Sequence, residues 1–416
     1  MRSALADRRS LAAVLVAVSL LLAGCSNDTS IPPPAAPSST TGPRVAEALT
    51  TIAELDTALR TGDADAASVL GLGSAGGLLD TAALNVTALG LDQVSLRYVQ
   101  ELGSTTVAGT KEFGPESWQA TVAVGYRLAG WDDKPTQVET TFTFAPGPGG
   151  KLLVAAIGTA TGRTPLWLAG PVRPVVSGRT LVLARSGSAA RESRLALQAI
   201  QDVGRVIPSW RGRLVIESPA SEAEFERVLG APPAQYANIA AVTASVDGST
   251  VTGSPVHVFL NPAQFAKLGP RAARIVVSHE STHVATQAPF TDGMPTWLIE
   301  GFADYVALAH AGIGVQRAAA QVLNRIKEKG LPDTLPSDED LSPTAPGLGA
   351  AYEEAWLVNR FLARTYGEPN LIAFYDAIDD GTNVTDAFRD VLGTTEPRFV
   401  AAWRTDLQRL VDARQG

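Results

Sequence analysis

The segment RAARIVVSHESTHVAT, residues 271–286, is the most informative stretch of this 416-residue chain, and it opens a region predicted to be nearly all helical. Its apolar residues favour a buried helix. On a helix, His279 and His283 lie four residues apart on one face, so both imidazoles can reach a single metal ion. Glu280 lies one position further round, where a carboxylate can take a proton from a water on the metal without being a ligand. The alternative is a helix whose two histidines only pack or cap.

A second stretch, PTWLIEGFADY at residues 295–305, supplies a candidate third ligand. Thr296 is predicted to be the N-cap of another helix. Glu300 follows His283 by 17 residues, which leaves room for a turn and an antiparallel helix. Two histidines and one carboxylate leave the fourth zinc position open for water or substrate, as in catalytic sites. Asp304, four residues after Glu300, is expected to accept a hydrogen bond from a ligand histidine and to fix its tautomer.

HESTH followed by WLIEGFADY resembles the paired motif of the gluzincin metallopeptidases, the thermolysin and zinc-aminopeptidase clan. The motif covers about 35 residues, and a looser likeness runs to the end of the chain. The resemblance implies that His279, His283 and Glu300 bind one zinc ion. It further implies that Glu280 is the general base and later the proton shuttle, and that Asp304 orients a histidine.

The looser likeness includes AYEEAWLV at residues 351–358. Clan aminopeptidases place a tyrosine before a similar helix, where its hydroxyl stabilises the tetrahedral oxyanion. The resemblance makes Tyr352 the candidate for this role. The alternative is a tyrosine that anchors the start of a helix.

Two departures from the clan bear on the type of peptidase. The sequence has no Gly-x-Met-Glu-Asn stretch, which clan aminopeptidases use to hold the amino terminus of the substrate. The interval to the third ligand is also a little shorter than theirs. Both favour an endopeptidase, or an enzyme with one dedicated substrate, over an aminopeptidase.

Three further residues have simpler interpretations. His257 lies in a predicted strand before the metal helix, and a packed or exposed side chain is favoured over one that faces the cleft. His310 ends a helix, where a cation interacts favourably with the carbonyl groups. Tyr305 is predicted to belong to the core.

The N-terminal residues are predicted to be a targeting segment and not part of the folded protein. Basic residues precede an uncharged run at residues 11–23, which is too short for a helix that spans a membrane in about 20 residues. The run ends in Leu-Ala-Gly-Cys and resembles the lipobox of bacterial lipoproteins. This resemblance implies that residues 1–24 are a signal peptide and that Cys25 carries lipid, which would anchor the protein to the cell membrane on its extracytoplasmic side. The alternative is an ordinary signal peptide with a chance cysteine, and the export route stays open.

Composition excludes several classes of function. The formal net charge of −8 gives no electrostatic reason to bind a phosphate backbone, so no nucleic-acid partner is expected. The single cysteine excludes an internal disulfide framework and any multi-thiolate metal site.

The predicted organisation is an α+β chain of two domains after a tether. Residues 25–44 hold a Pro/Ser/Thr-rich tether, and residues 45–165 form an accessory domain of helices followed by an antiparallel meander. This domain resembles, at the level of fold, the cone-shaped domains related to nuclear transport factor 2. A boundary is expected at residues 165–174, and residues 175–416 form the zinc metallopeptidase domain, with a small sheet and a mainly helical C-terminal subdomain.

These observations predict a lipid-anchored zinc metallopeptidase that acts on a protein or peptide substrate. The leading alternative is a non-catalytic binding or assembly lipoprotein that retains a peptidase-like fold. A purely structural zinc ion is disfavoured, because the sequence offers three ligands rather than four.

Overall fold

The computed structural model describes residues 42–104, 107–160, 162–185, 187–342 and 345–414. They form a mixed α+β protein with two sheets and a helical C-terminal region, which confirms the predicted fold class at that level. The predicted signal peptide, Cys25 and the tether up to residue 41 lie outside the described residues. Within the described ranges, no helix is long and apolar enough to cross a membrane.

The N-terminal part consists of helices packed on an antiparallel sheet. Its elements are α1 (Pro43–Thr61), α2 (Ala64–Ser68), α3 (Ser74–Leu89), β1 (Leu91–Ser104), α4 (Val107–Phe113), β2 (Trp118–Leu128), β3 (Thr136–Pro146) and β4 (Leu152–Ile157). The strands pair in the order β1-β2-β3-β4, which confirms the predicted meander. Ile52, Leu55 and Leu59 of α1 are buried in the core beneath this sheet, as their helical spacing predicts. Asp56 of the same helix accepts a hydrogen bond from the Leu96 amide of β1 (2.7 Å).

A second sheet follows, with both parallel and antiparallel pairs. Its elements are β5 (Arg173–Ser177), β6 (Thr180–Ala184), α5 (Ala189–Val206), β7 (Leu214–Ser218), α6 (Glu222–Leu229), β8 (Ala241–Ser245), β9 (Val256–Leu260) and α7 (Pro262–Phe265). The strand order is β5-β6-β7-β9-β8, so β5 and β8 are the edges. The edge strands pair antiparallel, and the three central strands are parallel. The serine at the start of the segment 221–229 predicts a helix N-cap. The structure confirms it, because Ser221 Oγ accepts a hydrogen bond from the Glu224 amide (3.2 Å).

Strand β5 was not predicted. Its first residues fall in the proline-rich stretch 165–174, which has the local signature of a boundary. An edge strand tolerates Pro174, because one side of its backbone has no neighbouring strand. Leu166, Trp167 and Leu168 of the same stretch form a buried turn.

The C-terminal region is helical, as predicted. Its helices are α8 (Pro270–Thr286), α9 (Thr296–Ala309), α10 (Val315–Ala318), α11 (Ala320–Lys329), α12 (Leu348–Tyr366), α13 (Glu368–Asp379), α14 (Val384–Asp390) and α15 (Glu396–Asp412). Helix α9 packs against α8 on one side and against α12 on the other. The sequence predicts a loop at residues 330–349. Helix α11 ends at Lys329 and α12 begins at Leu348, so the last two residues of the predicted loop belong to α12.

The start of α9 corrects one prediction. Thr296 is the first residue of the helix and not its N-cap, which is Pro295. The amide of Thr296 donates a hydrogen bond to Asp338 Oδ1 (2.8 Å). A carboxylate from the long loop therefore satisfies one of the free amides at this helix start.

Buried apolar side chains of the described residues group into three clusters. The first runs from the meander into the second sheet and includes Trp167, Leu183 and Phe259. The second fills the space among α9 to α15, and the third lies between the second sheet and helices α5 and α8. The first cluster includes residues from both sides of the expected boundary, and the division into domains at residues 45–165 and 175–416 stays a prediction.

A buried histidine links the two sheets. His257 of β9 lies between two carboxylates, with Nδ1 2.7 Å from Glu217 Oε1 of β7 and Nε2 3.0 Å from Asp132 Oδ1. Asp132 belongs to the turn between β2 and β3. Because both ring nitrogens face carboxylates, both carry a proton and the ring is an imidazolium. Burial by itself lowers the pKa of His257, but the two carboxylates outweigh it and raise the pKa to about 9.

This cluster predicts a loss of stability at alkaline pH. The folded pKa of His257 lies above the ordinary value of about 6.5, so its contribution is complete below pH 6.5 and is lost as the pH rises through about 9. We expect the free energy of unfolding to fall by up to about 3 kcal/mol between pH 6 and pH 10. Urea unfolding at a series of pH values measures it.

His257→Gln is the matched variant, because it removes the titrating ring and keeps a buried polar group. We expect its unfolding free energy to fall less over the same range. Asp132→Asn, which removes one carboxylate, should shift the midpoint of the loss to lower pH. Parallel curves for all three proteins would show that the cluster does not control the alkaline stability.

Candidate metal centre

Helix α8 presents two chemically different faces. Ala273, Val277 and Val284 are buried in the cluster that includes the second sheet. The other face carries His279 and His283, which line an open cavity of about 410 Å³. The helical repeat that buries the apolar residues therefore also directs the two imidazoles into one space.

An ion pair one turn earlier holds α8 against α5. Arg274 donates two hydrogen bonds to the buried carboxylate of Asp202, at 2.6 and 2.9 Å. Ser278 Oγ donates to the same carboxylate (2.9 Å). Since Ser278 immediately precedes His279, these contacts fix the rotation of α8 at the point where the first imidazole leaves the helix.

Three side chains converge at the surface between α8 and α9. His279 Nε2 lies 3.0 Å from His283 Nε2 and 3.1 Å from Glu300 Oε2. His283 Nε2 lies 3.5 Å from Glu300 Oε2. Tetrahedral zinc with bonds of about 2.0–2.1 Å requires its ligand atoms to be separated by about 3.3 Å. The three separations lie within about 0.3 Å of that value, so the three atoms are a candidate ligand set for one zinc ion.

Asp304 completes the surroundings of His279. Its Oδ1 lies 2.9 Å from His279 Nδ1, one helical turn beyond Glu300. A proton on Nδ1 that is donated to Asp304 leaves the lone pair of Nε2 free for a metal. Burial disfavours the charged imidazole, but Asp304 and Glu300 outweigh it and raise the pKa of His279.

The packing of α9 depends on Gly301, the residue after Glu300. A Cβ atom at this position would lie 2.3 Å from the Ala355 carbonyl oxygen of α12. Asn359 Nδ2 of α12 donates to that oxygen (3.0 Å) and to the Trp297 carbonyl of α9 (3.2 Å). The close approach of the two helices therefore requires glycine beside the third candidate ligand.

Glu280 is held by a residue that the sequence analysis did not identify. Thr243 Oγ1 of β8 lies 2.6 Å from Glu280 Oε2 and 2.9 Å from the Glu280 carbonyl oxygen. The hydroxyl has one hydrogen, so its shorter contact makes the carboxylate the better acceptor. The local pattern of residues 239–246 predicts a strand, but it does not indicate that this strand reaches α8 at Glu280.

Tyr352 lies in the first turns of α12 and lines the same cavity as the three candidate ligands. Its ring centroid is 6.5 Å from that of His279. Burial raises its pKa, and the carboxylates of Glu300, Asp304 and Glu280 raise it further. The hydroxyl therefore keeps its proton and can act as a hydrogen-bond donor.

The remaining two histidines and Tyr305 lie outside the cavity of the candidate ligands. His257 belongs to the buried cluster between the sheets and does not line this cavity. His310 follows α9 as its C-cap, the position predicted for it. Tyr305 packs at the edge of the helical core, and its hydroxyl donates to Glu368 Oε2 (2.7 Å).

Comparisons with known proteins do not assign the chain to a family. No family model matches it, and a search of curated proteins returned no match. The case for a metal centre therefore rests on the residues and their geometry.

The geometry predicts one zinc ion per chain. We expect the protein of residues 26–416, purified and reconstituted with zinc, to bind about one equivalent. His283→Ala removes a ligand and should weaken binding by more than about 100-fold, because losing a residue that merely orients a ligand costs 10- to 100-fold. Elemental analysis and competition with a chelator dye measure the stoichiometry and the affinity.

His310→Ala is the matched control, because it removes a histidine outside the cluster. It should bind zinc as tightly as the parent. Absence of zinc after reconstitution, or equal affinities in the parent and His283→Ala, would contradict the assignment.

Proposed function

We propose that this protein is a gluzincin-type zinc metallopeptidase that hydrolyses peptide bonds in a protein or peptide substrate. The observation that carries the proposal is the triangle of His279, His283 and Glu300 atoms, spaced as tetrahedral zinc requires, with the carboxylate of Glu280 on the same open cavity. Zinc held there would polarise the carbonyl of the scissile bond and lower the pKa of water towards about 7.

Side chains of the protein carry out the proton transfers and stabilise the charge that develops on the substrate. Glu280 accepts a proton from the water molecule while the oxygen of that water attacks the carbonyl carbon of the substrate. It then passes this proton to the nitrogen as the carbon–nitrogen bond breaks. Tyr352 donates a hydrogen bond to the carbonyl oxygen as that oxygen becomes negative. Thr243 holds the carboxylate of Glu280 in place through its hydroxyl.

The position of β8 favours an extended peptide as the substrate. Ala241, Val242 and Thr243 of this edge strand line the cavity beside the candidate ligands. The free edge of a sheet offers backbone donors and acceptors to an added strand. An edge that runs past the site accommodates residues on both sides of the scissile bond, which supports an endopeptidase over an aminopeptidase.

We further propose that lipid on Cys25 anchors the enzyme to the outer face of the bacterial cell membrane. The helices α1 to α3, which precede the sheet, and the antiparallel meander support the likeness to the cone-shaped domains related to nuclear transport factor 2. Such a domain would act as a spacer or dock a partner. The alternative function, a binding or assembly lipoprotein without turnover, is supported by the presence of this large accessory part.

The mechanism predicts the effect of Glu280→Gln. The amide cannot accept the proton, so hydrolysis should fall by about 100- to 10,000-fold while zinc stays bound. The measurement is cleavage of a denatured protein and of a peptide library, followed by mass spectrometry, alongside zinc content.

Glu339→Gln, an exposed glutamate outside the cavity, serves as the control and should retain full activity. Full activity in Glu280→Gln would refute the mechanism. A parent protein that binds zinc but cleaves no substrate would favour the binding lipoprotein instead.

Removing the hydroxyl of Thr243 is expected to lower the rate of hydrolysis. Thr243→Val keeps the shape of the side chain and removes the hydrogen bond to the Glu280 carboxylate. Because hydrogen bonds to charged groups contribute about 1.5–3 kcal/mol, we expect hydrolysis to fall by about 10- to 100-fold with zinc binding unchanged. Thr243→Ser, which restores the hydroxyl, should recover most of the activity, and no recovery would mean that the hydroxyl does not position the base.

A further inference from the structure

A second cavity lies at the C-terminal end of α9, the helix that carries Glu300. It has a volume of about 460 Å³ and shares no lining residue with the cavity of the candidate ligands. Its walls are the C-terminal end of α9, the chain up to the start of α10, and the second half of α12. A volume of this size accommodates a small organic molecule.

One wall carries a cation whose hydrogen bonds are incomplete. Arg360 Nη1 is buried and has no hydrogen-bond partner. Among the residues that the structure describes, it is the one cationic atom with this property. A buried donor left without a partner costs free energy, and the cost is larger for a charged group. Native structures seldom leave such a group unpaired. Arg360 as a residue lines the cavity, so a ligand there would lie beside its guanidinium group.

The charges around Arg360 favour an anion. Arg364 lies one turn further along α12 and lines the same cavity. Burial lowers the pKa of Arg360, and the like charge of Arg364 lowers it further, while Asp406 and Tyr305 partly offset both effects. Asp406 lies 3.6 Å from Arg364 Nη1 and is not part of the wall.

The carboxylate that lines this cavity, Glu368, already accepts a hydrogen bond from another residue. Glu368 Oε2 accepts the hydrogen bond of the Tyr305 hydroxyl (2.7 Å) and forms no ion pair with Arg360 within 4.0 Å. Glu368 therefore does not supply the missing acceptor for Arg360. Among the described residues, none supplies an acceptor to Arg360 Nη1.

The rest of the wall is apolar. The cavity is lined by Leu308 of α9, by Ile313 just before α10, by Val315 in α10 and by the largely buried Trp356 of α12. Trp356, Arg360 and Arg364 follow one another at intervals of four residues, so they share one face of α12. A ligand that meets Arg360 therefore also meets apolar surface one turn away.

We propose that this cavity binds an organic carboxylate, with the carboxylate on Arg360 and an apolar body against Trp356. The carboxylate can belong to the C-terminus of a peptide or to a fatty acid, which share this chemistry. The proposal is independent of peptidase activity, because it uses none of the residues of the metal site.

The experiment measures binding of four probes to the full zinc-loaded protein by calorimetry and by thermal shift. The probes are N-acetyl-leucine, octanoate, inorganic phosphate and the neutral N-acetyl-leucinamide. We expect one of the two carboxylates to bind and to raise the melting temperature, and the one that binds identifies the source. Binding of phosphate alone, equal binding of the neutral amide, or no binding of either carboxylate at 10 mM would overturn the proposal.

Arg360→Met keeps the aliphatic stem and removes the charge. We expect it to weaken carboxylate binding by about 10- to 100-fold, as the loss of a charged hydrogen bond does. Its melting temperature without ligand should equal or exceed that of the parent, because an unpaired buried charge has been removed.

Arg409→Met, at an exposed arginine of α15 outside the cavity, should bind the carboxylate like the parent. Unchanged binding in Arg360→Met, or marked destabilisation of that variant, would show that Arg360 has a structural role instead.

Discussion

The packing of α9 between α8 and α12 is the constraint on which the candidate metal centre depends. Helix α8 brings two imidazoles to one face by its own repeat, but three ligand atoms meet only because α9 lies close enough for Glu300 to reach them. That approach depends in turn on Gly301, where any side chain would collide with the backbone of α12. The third ligand and the contact that positions it are therefore neighbours in the sequence.

The site is held from several directions by polar contacts of different kinds. Asp202 holds α8 through Arg274 and through Ser278, the residue immediately before His279. Asp304 holds the ring of His279 from the side of α9. Thr243 reaches Glu280 from the edge of the second sheet. These partners come from three separate elements, which are α5, α9 and β8.

Much of the fold was predictable because it follows from local periodicity. Local patterns predict strands at residues 118–128, 180–184 and 256–260 and a helix at residues 189–206, and β2, β6, β9 and α5 have these bounds. The pair His279 and His283 was predictable for the same reason, since four residues on a helix fix their relative position. Strand β5 and the cap of α9 were not predictable. The first resembles a proline-rich linker, and the second depends on Asp338, which is 42 residues away in the chain.

The sequence by itself determined most of the elements, together with the residue types and the spacing of the candidate metal ligands. These properties are set by neighbours within one or two turns, where helical and strand repeats operate. Tertiary structure alone decided that Thr243 meets Glu280, that His257 lies between Asp132 and Glu217, and that Arg360 opens onto a cavity. Such contacts join elements that are 37 to 125 residues apart, and they arise from how sheets and helices pack, which no local pattern encodes.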